Sequence, residues 1–203
     1  MIRRLLIVLA LALALNGAPE RVRAADPSPE ATVTAFDGAL QQAMQGGHQL
    51  GYQGRFDVLQ PAMDQAFDFA TMTRIAAGFD WAKLPSAQQQ QLVDAFGRYS
   101  IATYANQFDG YAGQKFTVTG TSKLPQGIVV ATTMASPGGD LIRFNYLLHE
   151  VAGGWKIIDI YLDGTISQLA VRRSEFASVL KSSGADGLIA LLQRRTTALA
   201  SAK

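Results

Sequence analysis

From Gln114 to Asp163 the chain reads in period two, as four runs separated by turn residues, and no other feature restricts its fold as strongly. The runs are Lys115 to Thr121, Gly127 to Ala135, Asp140 to Val151 and Trp155 to Asp163. Between them stand Leu124-Pro125-Gln126-Gly127, Ser136-Pro137-Gly138-Gly139 and Ala152-Gly153-Gly154. These supply the proline and the positive-φ glycines that hairpins need, so an antiparallel four-stranded meander is the economical topology.

On both flanks the apolar period is helical. Residues 28 to 45 open with Ser28, Pro29 and Glu30, a good N-cap and first turn, and carry Val33, Phe36, Leu40 and Met44 on one face until Gly46 and Gly47 end the run. A second helix is expected from Arg55 to Asp68, with Phe56, Leu59, Met63 and Phe67 on one face. A short third one carries Phe69, Met72 and Ile75 up to Gly78. Ser86 is the expected cap of a long helix reaching Phe108. Leu92, Phe96, Tyr99 and Thr103 point inward, Val93, Ser100 and Tyr104 widen that face, and Gln89 and Gln90 lie outside. Helices return at Ile166, with Leu169, Phe176, Val179 and Leu180 inward, break at Gly184, and continue over 186 to 199 with Leu188, Ile189 and Leu192. The expected class is α+β: a four-stranded antiparallel sheet packed against N-terminal, central and C-terminal helices.

The first residues speak to compartment. Arg3 and Arg4 precede an uncharged apolar run from Leu5 to Leu15, which ends at Asn16, Gly17 and Pro19. A membrane-crossing helix needs about 20 apolar residues, so this run is a signal peptide, and Val22 and Ala24 place its cleavage after residue 24. Residues 25–203 then form one domain. Losing Arg3, Arg4, Arg21 and Arg23 with Glu20 leaves 14 of 18 basic and 15 of 16 acidic side chains, so the mature charge is near −1 although the whole chain has a pI of 9.0. The basic pairs Arg172-Arg173 and Arg194-Arg195 read as solvated helix faces, and no nucleic-acid partner is expected. There is no cysteine, hence no disulfide or thiolate metal site, and a packed core has to hold the domain together.

Residues suited to chemistry are few. His48 sits in a Gly-rich turn and His149 on the outward alternation of a strand, which fits solvated or structural roles. No HExxH or Asp-rich calcium loop occurs, and no metal or cofactor is expected. Asp159 and Asp163 share a strand face, but Asp163-Gly164 also reads as a plain strand-exit turn. The strand from Trp155 to Leu162 is apolar on both alternating faces, whereas a sheet with one wet face alternates cleanly. Either helices cover both faces of a filled core, or one face lines an apolar cavity. Pattern alone leaves both open.

The order of residues resembles the MlaC-like periplasmic lipid carriers, also called toluene-tolerance auxiliary transport proteins, and most closely their hopanoid-associated branch, HpnM. The resemblance starts at Phe67-Asp68-Phe69 and Met72-Thr73-Arg74-Ile75-Ala76-Ala77-Gly78, and runs through Trp81 and Ser86 to Phe96-Gly97-Arg98-Tyr99, Thr103-Tyr104-Ala105 and Tyr111-Ala112-Gly113. It continues with Gly154-Trp155-Lys156-Ile157-Ile158-Asp159-Ile160, Asp163-Gly164, Ser167-Gln168-Leu169, Arg172-Arg173-Ser174-Glu175-Phe176 and Gly184-Ala185-Asp186-Gly187-Leu188-Ile189. Each motif is short; their ordered series covers nearly the whole mature chain. Thr165-Ile166 departs from the pattern and implies a one-residue shift there.

The resemblance implies a soluble periplasmic carrier, not an enzyme, which takes a phospholipid or hopanoid between the inner and outer membranes. Its expected partners are an inner-membrane transporter complex and an outer-membrane protein, and a monomer is expected. Acyl chains would lie in an apolar cavity between helices and sheet, against Phe69, Met72, Ile75, Phe96, Tyr99 and Tyr104 on the helices and Phe144, Tyr146, Leu148, Ile158, Ile160 and Leu162 on the strands. Strand parity puts Ile158, Ile160 and Leu162 on that face and Asp159 on the other. Two other readings stand beside it: a lipid-modifying enzyme using Asp159 and His149, and an adaptor that binds no lipid. The leader yields the first test: N-terminal sequencing of exported protein should begin at Ala25 or Asp26, and a retained Met1 would overturn the assignment of compartment.

Overall fold

The computed structural model describes residues 28–201, so the expected signal peptide lies outside the described residues. Helix α1 (Pro29–Ala66) is followed by α2 (Phe69–Ala77), a 3₁₀ segment (Gly78–Lys83) and α3 (Ser86–Gln107). Strands β1 (Lys115–Leu124), β2 (Gly127–Ala135), β3 (Leu141–Val151), β4 (Gly154–Leu162) and β5 (Ile166–Ser167) come next, and α4 (Gln168–Ser201) closes the chain. Each strand pairs antiparallel with its sequence neighbour, in the order β1-β2-β3-β4-β5.

The helix punctuation lies close to where glycine puts it. Ser28 Oγ accepts from Ala31 N at 3.2 Å, and Pro29 opens α1. Gly47 (φ 42°) and Gly51 (φ 62°) bend α1 into two halves, and Gly184 (φ 66°) does the same to α4. The bend in α1 is braced by Arg55, a buried side chain whose Nε donates to Ala105 O at 2.7 Å and whose Nη1 donates to Gly47 O at 2.8 Å. Ser86 is not the cap of α3: Pro85 precedes the helix in extended backbone, and Ser86 is its first residue. Gln89, expected outside, is half-buried and turns back to donate to Trp81 O and Leu84 O at 3.0 and 3.2 Å.

Two features correct the expected sheet. It has a fifth strand where a helix was expected to begin at Ile166. Asp163 (φ 50°) and Gly164 (φ 80°) form a tight turn, Thr165 N donates to Leu162 O at 3.3 Å, and Ile166 and Ser167 pair back onto Leu162 and Tyr161. The second correction is a bulge in β4. Leu147 pairs with Asp159 and Leu148 with Ile157, which leaves Ile158 as the extra residue. Simple alternation therefore fails across the bulge. Ile157 joins Ile160 and Leu162 in the rows of Leu148, Tyr146 and Phe144, and Ile158 drops out of them.

Asp159 is buried, 7% exposed, and not turned away from the packed interior as parity suggests. Its Oδ1 accepts from Ile160 N at 2.7 Å and Leu169 N at 3.0 Å, and its Oδ2 accepts from Ser167 Oγ at 2.6 Å. Ser167 Oγ in turn accepts from Ala170 N at 2.9 Å. A buried carboxylate is costly unless hydrogen-bonded. Here it meets the unpaired N–H groups and the positive end of α4, where negative charge is favoured. His149 is structural as well: Nε2 lies 2.9 Å from Asp68 Oδ2, while Asp68 Oδ1 caps α2 by accepting from Thr71 N at 2.8 Å.

The core is one cluster that lies between α1 and the sheet and continues between α3 and α4, where Leu92, Phe176, Leu188 and Leu192 are buried. Phe36 stands edge-on to Phe67, Tyr104 and Tyr146 at centroid distances of 4.9, 5.7 and 6.0 Å, close enough for favourable ring pairing. Beside this cluster Asp37, 5% exposed, accepts from the Tyr146 hydroxyl at 3.0 Å. Burial pushes its carboxyl up from 3.8 to about 7, against the opposing pull of the Tyr146 hydrogen bond. Between those two values the unfolded chain has released the proton and the folded chain still holds it, so stability falls as pH rises through this window.

Two measurements follow. The melting temperature of Asp37→Asn relative to the parent should rise by on the order of 3 °C or more between pH 4 and pH 8; an unchanging difference would refute a buried, proton-holding Asp37. Asp159→Ala leaves the N–H of Leu169 and the hydroxyl of Ser167 without their acceptor, and should cost about 2 kcal/mol, on the order of 5 °C in melting temperature. A loss under 1 °C would show that the tie is not structural.

Candidate functional site

The sheet face toward the helices is divided. α1 covers the half bearing Val130, Tyr146, Leu148 and Ile157, all at most 2% exposed. The other half, bearing Phe144, Ile160 and Leu162, faces a cavity of about 220 Å³. Phe67 and Met63, from the end of α1, form its deep side with Phe96, each at most 4% exposed. Phe69 and Met72 of α2, Tyr99 and Tyr104 of α3, and Leu169 of α4 complete the walls. At the outer end stand exposed Gln107 and half-buried Phe108, Phe144, Leu162, Gln168 and Arg172.

The aromatic walls hold one another in place. Phe69 stacks on Phe67 at 5.6 Å and meets Phe96 edge-on at 6.3 Å, while Tyr104 stacks on Phe108 at 5.4 Å. Several polar atoms among the lining residues are already engaged. The hydroxyls of Ser100 and Thr103 donate to Phe96 O and Tyr99 O, one turn back, at 2.8 Å each. Gln168 Nε2 donates to Ile166 O at 3.2 Å, and the Asp159 oxygens hold β5 and α4. The interior therefore asks a ligand for little hydrogen bonding and offers it apolar contact.

Of the twelve residues expected at the site, Phe69, Met72, Phe96, Tyr99, Tyr104, Phe144, Ile160 and Leu162 line the cavity. Tyr146 and Leu148 are instead buried in the core, where Tyr146 meets Phe36 and Asp37 of α1. Ile158 is buried but removed from the cavity by the bulge, and Ile75 is 37% exposed on α2. The cavity is also lined by Met63, Phe67, Ser100, Thr103, Gln107, Phe108, Gln168, Leu169 and Arg172, which were not among the twelve, and by Asp159, which was expected on the opposite face. Helical spacing carries the α3 members: 96, 99, 100, 103, 104, 107 and 108 trace one stripe. Nothing local distinguishes Arg172, whose neighbour Arg173 instead lies beside Gly78.

The pair proposed for acid-base chemistry is not assembled for it. His149 is bound to Asp68, and Asp159 to β5 and the start of α4. Among the described residues no group of three His, Cys, Asp or Glu is placed to hold a metal, and no helix is long and apolar enough to cross a membrane.

Comparison with known proteins gives the same architecture a context. A phospholipid-binding protein from Ralstonia solanacearum, whose structure was determined in complex with a phospholipid, is similar to this chain with a TM-score of 0.74 and 28% identity, over 86% of this chain and 99% of that one. Residues 34–194 match the family described as MlaC protein, which spans the helices, the whole sheet and the cavity. The chain belongs to the MlaC family.

Proposed function

We propose that this protein is a periplasmic lipid carrier that encloses the acyl part of a phospholipid between α2, α3, α4 and the outer half of the sheet face, and moves it between the inner and outer membranes. The observation that carries the reading is a largely apolar cavity, walled by aromatic and aliphatic side chains and with its buried carboxylate already engaged, in a chain of the MlaC family similar to a phospholipid-binding protein. Enclosure answers a physical need. An acyl chain of sixteen carbons left in water costs on the order of 12 kcal/mol, at about 0.8 kcal/mol per CH₂, so an aqueous gap has to be crossed under cover. Export through the leader at residues 1–24 places the carrier in that gap. An inner-membrane transporter complex and an outer-membrane partner are the donor and acceptor that such a carrier requires.

The cavity of about 220 Å³ is below the roughly 300–1,000 Å³ of ordinary ligand sites. Loading therefore needs the walls to part. Met63 and Met72 are unbranched and repack readily, and α4 can move about the break at Gly184. A phospholipid is favoured over a hopanoid because the similar structure holds a phospholipid.

Protein purified without detergent and examined by native mass spectrometry should carry one lipid per chain. A hopanoid in that position would place the chain with the hopanoid-associated branch; an empty protein would favour the adaptor. Ile160 points to the sharper test, since it lines the cavity and is 7% exposed. Ile160→Trp should lower bound lipid by at least about fivefold with a melting temperature within a few degrees of the parent. A filled core would instead be overpacked by about 1–3 kcal/mol, so a strongly destabilised variant that still carries lipid would rule out the cavity.

A further inference from the structure

Two guanidinium groups meet at the outer wall of the cavity. Arg172 lies in the half of α4 before Gly184 and lines the cavity; Arg195 lies in the half after it. Both converge on the ring of Tyr99, also a cavity wall, at 5.3 and 6.0 Å from its centroid. Their Nη1 atoms donate to the same oxygen, Glu175 Oε2, at 3.1 and 3.3 Å. The three charged groups sum to +1. A guanidinium has five N–H donors in a planar fork, and among the described residues Glu175 is the one hydrogen-bond partner of either side chain. Most of their donors thus remain for a ligand, with side chains 27% and 40% exposed at the rim.

We infer that Arg172 and Arg195 form a headgroup site for the phosphate of the bound lipid, seated on Tyr99 and held in position by Glu175. This rests on the carrier reading and extends it, because an amphiphile whose chains fill the cavity brings its first polar group to the rim. Paired guanidinium forks match a phosphate in shape as well as in charge. Stacking on Tyr99 limits the freedom the two side chains lose when they close on it. Glu175 serves the empty protein: it draws together two like charges that would otherwise repel, and it competes with the incoming anion. The site therefore selects phosphate-bearing lipids over neutral ones of the same apolar volume.

The experiment offers delipidated protein an equimolar mixture of phosphatidylglycerol and diacylglycerol with matched acyl chains, and reads the bound ratio by native mass spectrometry. The parent should prefer the phospholipid by about tenfold or more, the worth of one or two charge-assisted hydrogen bonds. In Arg172→Gln/Arg195→Gln that ratio should fall toward one. Glu175→Gln should move it the other way by releasing both guanidiniums, a gain that misfolding cannot imitate. Lipid in the parent and in both variants at one common ratio overturns the headgroup site and leaves the carrier standing. No lipid of either kind in the parent overturns the carrier and the site with it.

Discussion

The carboxylate of Asp159 joins the parts on which the rest of the site depends. It lies on β4 beside the bulge, and its two oxygens receive the backbone of Leu169 and the hydroxyl of Ser167, at the start of α4. β5, the turn at Asp163-Gly164 and the first turn of α4 are thereby held against the sheet. Leu169 and Arg172, which follow within one turn, are positioned as cavity wall and rim by that anchorage. A group that looks like a catalytic acid in a list of residues is thus a fastening. Burying its charge is tolerated because the N-terminus of a helix supplies the donors and the dipole that water would otherwise supply.

A packed core and a cavity share one sheet face. α1 and the residue that follows it fill the half around Tyr146 with the rings of Phe36 and Phe67. The remaining half is roofed by α2, α3 and α4, which leave a cavity walled mainly by rings and aliphatic side chains. Two arrangements keep that space dry in character. The Ser100 and Thr103 hydroxyls bond back to their own helix, and aromatic rings form much of the deep end. The filled part and the open part of this surface thus lie side by side, and Phe67, Phe96 and Ile160 belong to both the core and the cavity wall.

Charge is placed on the same plan. Arg55 sits inside the fold, where its Nε and Nη1 donate to the carbonyls of Ala105 and Gly47 at the bend of α1 while its Nη2 is left without a partner among the described residues. Arg172 and Arg195 are the reverse: partly exposed, lightly engaged, and supported on an aromatic wall of the cavity. Asp37, buried among the aromatic residues of the core, has its carboxyl raised from 3.8 to about 7, so it holds its proton further toward neutral pH than an exposed aspartate does. The mouth of the cavity is thus its polar end, as an amphiphile with an enclosed tail requires.

The sequence by itself determined the α+β class, the four long strands, their hairpins and the breaks at Gly47, Gly78 and Gly184, because hydrophobic period and left-handed glycines are properties of a few consecutive residues. It also determined most of the cavity wall on α3, where a stripe of rings repeats at helical spacing. Tertiary structure alone decided the bulge at Ile158, the fifth strand, the burial of Asp159 and the exclusion of Tyr146 and Leu148 from the cavity. It also brought Arg172 and Arg195 together over Tyr99. These features depend on which element covers which stretch of sheet and on groups far apart in the chain meeting across the fold. A local pattern shows that a face is apolar; only packing settles whether a helix or a ligand will cover it.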